Sequence, residues 1–176
     1  MLFHTGLGDI DVVLAKCNPT HLFQMLKDEQ ARKAKVVLIH GGYPYATEAA
    51  WLATVFENVY LDVSIYSPYS HSNLSNRVLE ILELAPVSKV MYGSDASQLP
   101  ELYWLSANLF RKALGEALQR LIEFGSVGED QAYGCARRIL EENARDLFHL
   151  GEDSQLGREQ TASLSGNPAA PAQRHA

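Results

Sequence analysis

Short apolar segments that alternate with helical patterns constrain the fold of this chain more than any other feature of its sequence. The clearest segment is Val36-Val37-Leu38-Ile39. It has no alternating polar residues, which is typical of a strand buried on both faces of a parallel sheet. Similar segments lie at 1–3, 59–61 and 89–92, with helically spaced apolar residues between them. This order predicts an α/β fold in which parallel strands are joined by helices.

The helices carry signals at their ends. Asn18 followed by Pro19 predicts a capped helix start, and Asn73 is expected to cap a helix over 74–84. Two longer helices are predicted to close the fold, at about 100–124 and at about 129–150. The coarse order is therefore β-α-β-α-β-α-β-α-α.

The composition fits one globular domain. The chain has 176 residues, of which 47% are hydrophobic and 20% charged, so it can bury a sizeable core. The residues from 151 onward are small and polar and have no periodic apolar face. We therefore predict one domain over residues 1–150 and a disordered tail over 151–176.

Charge and targeting features narrow the range of partners. The formal net charge of −6 gives no basic patch for nucleic acid, and no apolar run is long enough to span a bilayer. Cys17 and Cys135 show neither metal-site nor disulfide spacing, and the N-terminus does not resemble a secretory signal. These features favour a cytoplasmic protein that acts on a small molecule.

Polar side chains follow three of the predicted strands. His4 follows the first strand, His40 the second, and Asp95 comes shortly after the fourth. Because parallel strands present their carboxyl ends on one side of the sheet, we expect these side chains to converge there. Two imidazoles and a carboxylate suit a divalent ion, zinc or alternatively manganese. Asp62, at the end of the third strand, is interpreted as a structural residue.

A non-catalytic interpretation stands beside this one. On composition alone, a single histidine after a strand is more often a hydrogen-bonded structural residue than a ligand. Asp95 is equally well placed to cap the turn into the next helix.

Five short motifs add a family resemblance. In chain order they are "FHTGLGD", "VVLIHGGYPY", "VYLDVS", "VMYGSDA" and "ILEENARDLFHL". Over about residues 1–150 they resemble the amidohydrolase-related family of metal-dependent hydrolases, and most of all its branch fused to a glutamine-synthetase domain in plants and fungi. The resemblance implies the C-terminal half of a (β/α)8 barrel. It also implies that His4, His40 and Asp95 bind the metal and that His40 and Asp95 act in catalysis: His40 as ligand or carbonyl-polarising group, Asp95 as ligand and proton shuttle.

The resemblance also identifies a missing part. The family completes its metal site with a His-x-His pair on its first strand, and this chain contains no His-x-His. We therefore expect a half-barrel with two open sheet edges that associates with itself or with a missing N-terminal half. The parent enzyme is expected to hydrolyse a C–N or ester bond with a metal-activated water, and this chain alone to be weakly active.

Three other functions stay open. A metal-dependent decarboxylase uses the same scaffold, and a fragment of this kind could also be non-catalytic. A serine hydrolase would use the His-Gly-Gly segment as an oxyanion hole, but it needs a G-x-S-x-G turn, and the sequence around Ser94 lacks the second glycine.

Overall fold

The computed structural model describes residues 1–8 and 10–151. Within them, four strands form one parallel sheet in the order β1-β2-β3-β4: β1 Leu2–His4, β2 Val36–Ile39, β3 Val59–Asp62 and β4 Val90–Met91. Helices connect the successive strands, which confirms the predicted α/β class and gives half of a (β/α)8 barrel. The predicted tail, beyond Gly151, lies outside the described residues.

Eight α-helices occur in the same part of the chain. They are α1 Phe23–Lys27, α2 Glu29–Arg32, α3 Ala46–Val55, α4 Tyr66–Tyr69, α5 Leu74–Leu82, α6 Pro100–Phe124, α7 Glu129–Arg137 and α8 Asn143–Phe148. A π-helical turn, Arg138–Glu142, divides the last predicted helix into α7 and α8. None of these described helices combines the length and the apolar character needed to cross a membrane.

The predicted helix ends are correct in two places and wrong in one. The Asn18 side chain accepts a hydrogen bond from the Thr20 N–H at 2.9 Å and so caps a 3-10 helix, Pro19–Leu22, which leads into α1. Helix α6 ends at Gly125, which has a φ of 82°. Asn73 does not cap α5, because its side-chain oxygen accepts instead from the Asn76 amide at 2.6 Å.

The sheet has one face toward the helices and one face toward the barrel interior. Phe3, Leu38, Leu61 and Val90 are paired along the register and share the helix-facing side, where the last three are almost fully buried. The alternate residues form the opposite, inner face, which ends in His4, Ile39 and Asp62 at the carboxyl edge of the sheet. The strand alternation therefore aims His4 and Asp62 to the same side.

The outer edge of β4 is covered by the end of the chain's own helical region. The Asn143 amide donates to the Val87 and Val90 carbonyls at 2.7 and 2.8 Å, and the Tyr92 N–H donates to the Ile139 carbonyl at 2.8 Å. Ile139 lies in the π-helical turn. The expectation of two open edges is therefore corrected at β4, whereas β1 remains an edge strand of the described sheet.

Candidate functional site

The ends of β1 and β2 bring two predicted site residues into contact. His4 pairs with Ile39 in the register, so His40 follows directly beside it. The Nε2 atoms of His4 and His40 lie 2.9 Å apart, with ring centroids 4.3 Å apart and ring planes at 82°. The predicted convergence of the two imidazoles at the carboxyl edge of the sheet is thus what the structure shows.

The backbone at His40 leaves the strand in an uncommon conformation. Its φ of 67° is in the left-handed region, which costs a non-glycine residue about 1–3 kcal/mol and needs support from its surroundings. Two contacts provide that support. The His40 N–H donates to Asp62 Oδ1 at 3.1 Å, and the buried Tyr66 hydroxyl donates to the Gly41 carbonyl at 3.1 Å.

The His40 imidazole is held by a chain of hydrogen bonds from β3. Its Nδ1 lies 2.7 Å from Ser64 Oγ, and the Ser64 hydroxyl donates to Asp62 Oδ1. Because the one hydroxyl proton goes to the carboxylate, Ser64 Oγ accepts from His40 Nδ1–H. The His40 Nε2 lone pair therefore points toward His4.

Burial gives His40 a different electrostatic setting from an exposed histidine. The residue is 1% exposed. Burial lowers the pKa of the His40 imidazole from its ordinary value; the charge of Asp95 opposes this shift, His4 adds to it, and Asp62 opposes it. A neutral imidazole with a free Nε2 is the form that binds metal ions.

Asp95 lies on a cavity of about 670 Å³ that His4 also lines. Apolar side chains from Ile65, Leu102 and Leu105 form part of its wall. Among residues 1–8 and 10–151, no three or more His, Cys, Asp or Glu side chains stand close enough together to hold a metal ion. The structure thus brings His4 and His40 together and does not join Asp95 to them as a three-ligand group. The ligand set of His4, His40 and Asp95 stays a prediction, and its donor types suit a zinc-like cation.

The hydrogen bonds of Asp62 and Ser64 to His40 are the part of this arrangement that sequence reasoning missed. Asp62 was expected to be structural, and its contacts are of that kind: its Oδ1 accepts from the His40 N–H at 3.1 Å, the Ser64 N–H at 3.0 Å and the Ser64 hydroxyl. The signal in the sequence is an aspartate at the end of a strand with a serine two residues later, a spacing that favours a local side-chain to backbone bond.

Ser94 is engaged differently from a catalytic serine. Its hydroxyl oxygen accepts from the Ala96 N–H at 3.2 Å, whereas His40 contacts His4 and Ser64. A serine nucleophile needs a base within hydrogen-bond reach, and the histidines of this site are directed at each other. The geometry therefore favours the metal-site interpretation over a serine hydrolase.

Comparisons with known proteins match nearly all of the described residues. A family model described as amidohydrolase matches residues 2–150. Protein fluG of Emericella nidulans is 37% identical over 150 residues, which are 85% of this chain and 17% of fluG. A crystal structure of a candidate metal-dependent hydrolase from Lactobacillus casei ATCC 334 matches with a TM-score of 0.76 and 36% identity, covering 84% of this chain and 38% of that one. The chain spans well under half the length of either protein.

Proposed function

The chain belongs to the amidohydrolase family, and from that premise we propose that it forms part of the active site of a metal-dependent hydrolase that cleaves a C–N or ester bond. The observation that carries this proposal is the contact between His4 Nε2 and His40 Nε2, at the edge where parallel α/β sheets hold their ligands. The description of the Lactobacillus casei protein as a metal-dependent hydrolase supports it.

The predicted site residues would have different roles in this reaction. His4 and His40 would hold a divalent ion through Nε2, with Asp95 as the third ligand, and zinc suits these nitrogen and oxygen donors, with manganese as the alternative. Such an ion supplies a nucleophile at neutral pH by lowering the pKa of a bound water to about 7. The Asp95 carboxylate, on the same cavity as His4, would accept a proton and return it to the leaving group.

The cavity beside His4 has a suitable size and surface for a small substrate. Its volume is about 670 Å³, within the range of small-molecule sites. Ser94, Ser97 and Ser106 also contribute to its lining. A compact amide or ester with an apolar body fits such a lining.

Zinc titration by calorimetry tests the ligand assignment. We expect the protein to bind zinc, and His4→Ala to weaken that binding at least about 100-fold because one of few protein ligands is lost. His21→Ala is the matched control, since the exposed His21 ring contacts only the Ala15 carbonyl at 3.2 Å among the described groups. Zinc that stays tightly bound in His4→Ala would overturn the assignment.

The reaction is tested by product analysis. Ammonia or acid release from amides and esters would support a hydrolase, whereas carbon dioxide release from a carboxylated substrate would indicate the related decarboxylase. We expect weak activity from this chain alone, because β1 is an edge strand and the four described strands form only part of the inner face of a barrel. Adding a polypeptide with the His-x-His strand should raise the rate.

A further inference from the structure

We propose that Asp62 and Ser64 are positioning residues that keep the His40 proton on Nδ1 and its Nε2 lone pair directed at His4, before any metal binds. Neither residue is assigned as a ligand, so both act through His40. The consequence for metal binding rests on the proposed function, whereas the tautomer itself does not.

The direction of each hydrogen bond follows from the number of protons available. The Asp62 carboxylate only accepts, and the Ser64 hydroxyl has one proton, which it donates to Asp62 Oδ1. Ser64 Oγ is therefore an acceptor toward His40 Nδ1, 2.7 Å away. The other tautomer would set two lone pairs against each other at this distance unless the Ser64 hydroxyl turned away from the carboxylate.

Burial makes this arrangement hard to replace with water. His40 is 1% exposed and Ser64 3% exposed. The same Asp62 oxygen also accepts from the His40 N–H at 3.1 Å, so one carboxylate sets both the left-handed backbone and the imidazole. Groups that orient a metal-binding imidazole through its second nitrogen act in this way.

The end of β4 closes the space around Ser64. A Cβ added at Gly93 would lie 3.1 Å from the Ser64 Cβ and 3.6 Å from the Asp62 carboxyl carbon. The space beside both residues is therefore too small for a side chain at position 93 without a shift of its neighbours. Strands β2, β3 and β4 thus contribute together to the position of one imidazole.

The arrangement places the proton on a different nitrogen in each of the two histidines. With the His40 proton on Nδ1, the 2.9 Å contact between the Nε2 atoms requires His4 to donate from Nε2. Binding a cation through both Nε2 atoms then requires a tautomer change at His4 and none at His40.

Long-range ¹H–¹⁵N NMR of the imidazoles tests the proposal in the metal-free protein at alkaline pH. We expect His40, assigned by the loss of its signals in His40→Asn, to be the Nδ1–H tautomer. Ser64→Ala should shift it toward Nε2–H. Ser67→Ala is the matched control, because Ser67 is 1% exposed and its hydroxyl has no hydrogen-bond partner among the described residues. It should leave the His40 signals unchanged.

Zinc chloride titration gives the second readout. Ser64→Ala should weaken zinc binding about 10- to 100-fold, whereas the control Ser67→Ala should leave it unchanged. If Ser64→Ala does not fold, Asp62→Ala replaces it, because it removes the acceptor of the Ser64 hydroxyl proton and leaves that proton free to be donated to His40 Nδ1.

The outcomes separate the two claims. An Nε2–H tautomer at His40 in the wild type, or a tautomer insensitive to Ser64→Ala, or to Asp62→Ala where that variant replaces it, overturns the positioning role. The expected tautomer in a protein that does not bind zinc supports that role and contradicts the proposed function.

Discussion

The two histidines of the candidate site are in contact, but one is buried and the other is exposed. His40 follows a central strand, is 1% exposed and has its backbone and its Nδ1 bonded to Asp62 and Ser64. His4 ends the edge strand β1 and is exposed, and its Nε2 contacts His40. Among the described residues, the His4 ring has a hydrogen-bond partner in His40, whereas the His40 ring is bonded to Ser64 as well.

This difference shows how a site can be both ordered and adaptable. A side chain whose rotamer and tautomer are already set does not lose further freedom when a ligand binds. The exposed His4 can reorient its proton as the ligand requires. The comparison predicts that changes on the His40 side cost folding stability, whereas changes on the His4 side cost only binding.

The largest expected contrast is between His40→Ala and His4→Ala. Removing His40 leaves Ser64 and Asp62 with unpaired groups in a buried place, so we expect a loss of about 2–3 kcal/mol in the free energy of unfolding. His4→Ala should change it by less than about 0.5 kcal/mol, as for an exposed residue. Urea unfolding measures the loss of stability in both variants. Equal losses would contradict the proposed difference between the two histidines.

A smaller contrast separates the two aspartates. Asp62→Asn weakens charge-assisted bonds to the His40 and Ser64 N–H groups, so we expect a loss of about 1–2 kcal/mol. Asp95→Asn keeps a residue type that tolerates its φ of 52°, and should stay within about 0.5 kcal/mol while abolishing turnover. Thermal unfolding and an activity assay measure the pair. A greater loss of stability in Asp95→Asn than in Asp62→Asn is the result that opposes this account.

The smallest contrast uses two glycines. Gly93→Ala introduces a Cβ 3.1 Å from the Ser64 Cβ, and we expect a loss of about 1 kcal/mol together with weaker zinc binding. Gly115→Ala in α6 meets nothing within 4 Å and should gain up to about 1 kcal/mol from helix propensity, with zinc binding unchanged. Unchanged stability and zinc affinity in Gly93→Ala would show that the space around Ser64 is not tight.

The parts of the molecule that sequence predicted are those encoded locally. The unbroken apolar segment at β2 predicted a parallel sheet, and the ends of the first two strands predicted the positions of His4 and His40. Both predictions depend on strand period and strand ends. The comparisons then confirmed the family over residues 2–150.

The parts that sequence missed depend on partners far along the chain. The role of Asp62 depends on His40, 22 residues earlier, and its local pattern equally fits a simple turn. Asn143 covers β4 by bonding to Val90, 53 residues earlier. The helix cap predicted at Asn73 does not form, because the Asn73 side-chain oxygen accepts a hydrogen bond from the Asn76 side chain instead.

The central claim is that the Nε2 atoms of His4 and His40 bind one cation. Long-range ¹H–¹⁵N NMR of the imidazoles during zinc addition tests it most directly. The account predicts that His40 keeps its proton on Nδ1 while His4 moves its proton from Nε2 to Nδ1, with both Nε2 signals shifting together at the same zinc concentration. An Nε2–H proton that persists on His4 at saturating zinc would contradict it.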